Sequence, residues 1–236
     1  MAAGRRDKRW GARACARLTA GGASRGRALS LYPATDRYKD DLAVLPPLLR
    51  PGVFRQPQDR SEPFILVYIL NSGYADEVIR WHEQNPTVPL HCFWDRPDAA
   101  PVEAYDETLT FHQLDDEKFL RLMARCRGFV STAGFESIAE AMYLGTPVQV
   151  VPVEGHYEQR CNAVDAVRAG AGVRSTQFDI GHLRAALDRG STPEARFQAW
   201  VRQGRRRFVR ELEAAARRPV AGALGPRVAE RILEAA

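Results

Sequence analysis

Between residues 63 and 189, short apolar runs alternate with stretches of helical spacing. Pro63 to Leu70 (PFILVYIL) is nearly continuous in apolar residues, the pattern of a strand buried on both faces. Asn71-Ser72-Gly73 follows, and then a helix from Tyr74 to about Gln84. Pro89 to Trp94 reads as a second strand, residues 96–106 as a loop, and Thr108 to Phe111 as a third strand. Asp115 or Asp116 caps a helix running to about Cys126, its apolar surface built on Phe119, Leu120, Leu122 and Met123. Gly128 to Ser131 is another short strand, ending in Thr132-Ala133-Gly134. The helix after it, from about Phe135 to Leu144, stops at Gly145 with Pro147 just beyond. Val148 to Val153 is a further strand, His156 to Ala169 a helix, Gly172-Val173 the start of an edge strand, and Ile180 to Asp188 a small helix. This alternation predicts an α/β fold: a Rossmann-like parallel sheet of five or six strands with helices on both faces.

The flanks read differently. Residues 1–30 lack either periodicity and are expected to be a disordered basic segment. Residues 31–62, with prolines at 46, 47, 51 and 57, predict an irregular linker remnant. Residues 63–190 form the expected Rossmann-like domain. Residues 191–236 hold terminal helices: one long and arginine-rich over 192–217, and one short from Pro226 to Ala236.

Charge sharpens that division. The 236 residues carry a net +5, but residues 1–27 alone hold eight basic residues and one acid, so the remainder is slightly acidic. A basic tail can touch nucleic acid or anionic lipid, and it can equally be a solvated leader; no nucleic-acid partner is expected for the folded body. No run approaches the roughly 20 apolar residues of a membrane span, and the basic start lacks the apolar core of a signal peptide. The four cysteines, Cys15, Cys92, Cys126 and Cys161, show no metal-like spacing and read as reduced thiols of a cytoplasmic protein.

Candidate chemistry gathers at the carboxyl ends of the strands, where ligands bind in open parallel sheets. After Ser131, the residues Thr132, Gly134 and Ser137 surround a helix amino terminus, whose unpaired N–H groups attract phosphate. Glu140, one turn further on, is placed to accept two ribose hydroxyls; the same acids, with Glu136, can equally be ordinary helix-surface residues. Glu158 and Gln159, after the next strand, offer the acceptors and donors a sugar needs, and His156 either donates to phosphate or caps its helix. Ser72 and Gly73 resemble a short phosphate-approach loop. Phe111-His112-Gln113-Leu114 either borders a base or is a plain strand end.

The stretch STAGFESIAEAMYLGTPVQVVPVEGHYEQRCNA resembles the donor-site signature of GT-B glycosyltransferases, in particular their MurG-like and glucuronosyltransferase-like branches and a bacterial subgroup of unknown acceptor. The matching positions are Gly134, Ser137, Glu140, Gly145, Pro147, Pro152, Glu158, Gln159, Asn162 and Ala163. The resemblance implies a hexosyltransferase that binds a UDP- or dTDP-sugar. Thr132, Gly134 and Ser137 would then lie at the diphosphate, Glu140 at the ribose and Glu158 with Gln159 at the sugar. Ser72 and Gly73 would meet the phosphates from the other side, and His112 would border the base. It implies no cofactor and, without a DxD motif, no metal; it names no catalytic residue. Where relatives carry a phosphate-contacting histidine this chain has Thr132, and their Asp-Gln is Glu158-Gln159 here. Relatives also carry an acceptor domain before LPPLLRPGV. The resemblance therefore implies a donor-binding half, working with an acceptor-domain partner chain or representing a truncated product, with a non-catalytic nucleotide-sugar module as the alternative. The arginine-rich helix of 192–217 leaves room for peripheral contact with the inner membrane.

Overall fold

The computed structural model describes residues 26–32, 42–57, 62–69, 72–187 and 194–217. Its centre is a seven-stranded sheet. In chain order the strands are β3 (Ile65–Ile69), β4 (Leu90–Trp94), β5 (Val102–Ala104), β6 (Leu109–Gln113), β7 (Gly128–Ser131), β8 (Val148–Val150) and β9 (Gly172–Arg174). In space the order is β5-β6-β4-β3-β7-β8-β9, with every pairing parallel except β5 against β6. β3 is first in the sheet and lies between β4 and β7, so the order reverses there: β4 and β6 extend to one side, β7, β8 and β9 to the other. In open α/β sheets ligands bind in the crevice at such a switch point, here the carboxyl ends of β3 and β7.

Strand alternation divides the core into two layers. Leu66, Phe93, Phe129, Val148 and Val150 face helices α2 (Asp116–Met123), α3 (Phe135–Tyr143), α4 (Tyr157–Ala169) and α6 (Glu194–Arg202). Ile65, Val67, Ile69, Cys92, Phe111 and Val130 face α1 (Ala75–Gln84), α5 (Gly181–Leu187) and the Phe178–Ile180 turn. Both faces are covered, which is why these strands read as unbroken apolar runs. α3 is buried from Ser137 through Met142 and ends where Gly145 takes a left-handed φ of 73°.

Four segments depart from the sequence expectation. Gly26–Leu29 (β1) and Leu42–Leu45 (β2) pair as a small parallel sheet inside stretches expected to be disordered or irregular. Ser30 Oγ and the Leu31 N–H both bond the carboxylate of Asp165 in α4, and Trp200 Nε1 donates to Ser30 O at 3.1 Å. Tertiary contacts hold strands too short to show a period, and Pro46 follows directly where β2 ends. β5 replaces part of the expected 96–106 loop. The long helix expected over 192–217 turns at Gln203 into α6 and α7 (Gly204–Ala216), because Gly204 lies against the connector: a Cβ there would sit 3.2 Å from Pro47 O. The expected basic tail before residue 26 and the helix from Pro226 lie outside the described residues.

Candidate functional site

The turn from β7 into α3 is the most constrained piece of backbone at the crevice. Ala133 is fully buried and holds φ at +46°, a conformation an alanine adopts only at a cost. Asn162 of α4 donates its Nδ2 to Ala133 O at 3.1 Å and so fixes the turn from the neighbouring helix. Gly134 is the N-cap of α3, with no side-chain cap on the first-turn N–H groups. Ser137 Oγ donates to Gly134 O at 3.2 Å and lies 3.5 Å from Ser131 Oγ. A Cβ at Gly134 would meet only Ser137 Oγ, at an ordinary 3.5 Å. Packing therefore does not demand glycine here; what glycine leaves is open approach to the helix end. An uncapped helix terminus behind small residues suits an anion. Thr132 is buried beside it.

The β8–α4 connection lies next to this turn. Gly155 is left-handed, and its Cβ position meets nothing within 4 Å. His156 caps α4, its Nδ1 accepting from the Gln159 N–H at 3.4 Å, so of its two sequence readings the structure shows the cap. Gln159 Oε1 accepts from the Val153 N–H at 2.8 Å, bracing the loop after β8. Glu158 is exposed in the first turn of α4.

On the other side of the switch point, Ser72 begins a single 3-10 turn after β3, with Gly73 exposed within it. These residues, Thr132, Gly134 and Ser137 all follow the neighbouring strands β3 and β7. His112 is not brought to the crevice by its ring. The imidazole is buried against Phe93, with Nε2 2.8 Å from His91 Nδ1 and Nδ1 lacking a hydrogen-bond partner. Burial first, and then the nearby Lys118 and His91, push it down to about 4. Only the backbone at this strand end remains to border a ligand.

Glu140 is the largest surprise. It is buried, and the guanidinium of Arg50 takes both its oxygens: Nε donates to Oε1 at 2.6 Å and Nη2 to Oε2 at 2.7 Å. Arg50 Nη1 reaches Asp116 Oδ1 at 2.7 Å. Hydrogen bonding to Glu140 is the main reason the guanidinium is held above its ordinary range. Tyr68 at the end of β3 completes the cluster; burial and then the charges of Asp95 and Asp116 raise its phenol. Sequence reasoning assigned none of Arg50, Tyr68, Asp95 and Asp116 to the site, Asp116 entering only as a possible helix cap. The available signal was a lone cation in the apolar connector LPPLLRPGV. Among the described residues no group of three or more His, Cys, Asp or Glu is arranged to hold a metal, and no helix is long and apolar enough to cross a membrane.

The model of the family described as "Glycosyl transferase family 1" matches residues 3–189. Among solved structures, the glycotransferase of kitacinnamycin is similar at 20% identity and a TM-score of 0.56, over 81% of this chain and 55% of that one. The spinosyn rhamnosyltransferase SpnG, complexed with thymidine diphosphate, is similar at 15% identity and a TM-score of 0.50, over 76% and 53%. The likeness is one of fold, the GT-B type, and the chain spans about half the length of these structures. No curated protein sequence matches it.

Proposed function

Because the chain belongs to glycosyl transferase family 1, we propose that it binds a nucleoside-diphosphate sugar at the β7–α3 turn and supports transfer of the sugar to an acceptor. The observation that carries this reading is the uncapped α3 terminus behind a strained, externally braced Thr132-Ala133-Gly134 turn at the sheet's switch point. In transfer, the bond between the anomeric carbon and the diphosphate oxygen breaks and its electron pair leaves with the diphosphate. Fixed N–H groups at the helix end stabilise that charge without reorganising. Ser72 and Gly73 face the phosphates from β3, Glu140 serves the ribose, and Glu158 with Gln159 serve the sugar. The thymidine diphosphate in the SpnG structure supports a pyrimidine nucleotide, UDP or dTDP.

Gly134→Val tests the reading. Its backbone (φ −66°, ψ 130°) suits a β-branched residue, and the added Cβ has ordinary contacts. The melting temperature is expected to stay nearly unchanged, while calorimetric affinity for UDP and dTDP falls roughly tenfold or more as N–H contacts to phosphate are blocked. Unchanged nucleotide affinity in the folded variant rejects this site.

A further inference from the structure

Arg50 holds Glu140 through both carboxylate oxygens, and its side chain is 36% exposed where that of Glu140 is 2% exposed. Each carboxylate oxygen accepts one of its N–H groups, and the third contact, to Asp116, anchors the cation independently. Arg50 belongs to the proline-rich connector; Asp116 opens α2 and Glu140 lies in α3. The connector thus reaches across two helices to the carboxylate that the proposed donor reading assigns to the ribose.

A vicinal diol and a guanidinium make the same demand on a carboxylate: two donors, one to each oxygen. Both cannot be met in the same geometry. We propose that Arg50 is a specificity-determining latch on the nucleoside subsite, occupying the Glu140 oxygens that a ribose 2′,3′-diol would use. This rests on the reading of Glu140 as the ribose acceptor. A diol-bearing nucleotide displaces two of the three guanidinium contacts, while Asp116 keeps Arg50 and the connector in place. Affinity for such nucleotides is lowered in proportion to the fraction of time the latch is open. A nucleotide lacking the diol gains nothing when the latch opens.

The test is calorimetric titration of the full chain, wild type and Arg50→Met, with UDP and with 2′,3′-dideoxyuridine diphosphate. Loss of a cation weakens both ligands through the diphosphate, so the informative quantity is the ratio of the two affinities within each protein. The preference for UDP is expected to rise roughly tenfold in Arg50→Met. dTDP, which keeps only the 3′-hydroxyl, should fall between the two ligands. An unchanged or smaller preference overturns the latch while leaving donor binding intact. Binding of neither ligand to either protein overturns the donor reading, and the latch with it. If Arg50→Met does not fold, Arg50→Lys takes its place: it keeps the cation but loses the planar fork that meets both Glu140 oxygens, and a smaller rise in preference supports the latch where no rise overturns it.

Discussion

The amino ends of α3 and α4 are built alike and finished differently. Both follow parallel strands at the same edge of the sheet, and both are entered through a residue at positive φ, Ala133 in one case and Gly155 in the other. The α4 end supplies its own cap from His156, braces its loop through Gln159 and stands open around Gly155. The α3 end has no side-chain cap, buries a strained alanine and takes its brace from Asn162 on α4. A helix terminus capped by its own side chain has fewer N–H groups to offer a phosphate. One kept unsatisfied by a rigid turn has more of them, and here the second helix provides the rigidity.

Substitution at the two positive-φ residues gives the largest contrast. Ala133→Val adds a β-branched side chain at φ +46° in a fully buried site, and should lower stability by about 3 kcal/mol, seen as a clear drop in melting temperature. Gly155→Ala carries only the left-handed penalty, about 1 kcal/mol, because nothing crowds its Cβ. Equal losses at the two positions would break the comparison.

A third strand end sharpens it through pH. His112 is pushed down to about 4, below the roughly 6.5 of an unfolded histidine. Between those values the unfolded chain binds the extra proton, so stability rises with pH. The contribution is complete above about 6.5 and is lost as pH falls towards 4. His91, lowered mainly by burial, acts in the same direction. Thermal melts across this window should show about 2 kcal/mol of pH-dependent stability, and His112→Phe should flatten the curve. An unchanged curve would place the ring in water and return it to the candidate ligand surface.

The smallest effect separates the helix ends by function. Asn162→Ala and His156→Ala each remove one hydrogen bond and should cost about 1 kcal/mol. Titration with UDP should weaken several-fold for Asn162→Ala and stay unchanged for His156→Ala. The reverse pattern would move the phosphate site to α4.

Much of this was legible locally. Unbroken apolar runs marked strands covered on both faces, and the Gly145 stop, the acid cap at Asp115 and the strand-end positions of Thr132 and Gly134 followed from spacing and composition. β1 and β2 were not legible, because four residues cannot display a period and the contacts that hold them come from Asp165 and Trp200, far along the chain.

The amino-acid sequence by itself determined the alternating α/β order, the two-faced burial of the sheet and the small residues at the β7–α3 turn, since each depends on neighbours within a few positions. Tertiary structure decided how that turn is finished. Asn162 meets Ala133, His112 turns inward onto Phe93, and Arg50 closes over Glu140 from 90 residues away. Those are pairings between distant segments, set by the three-dimensional packing of helices on the sheet, and no local pattern of hydrophobic and polar positions encodes which charge will meet which.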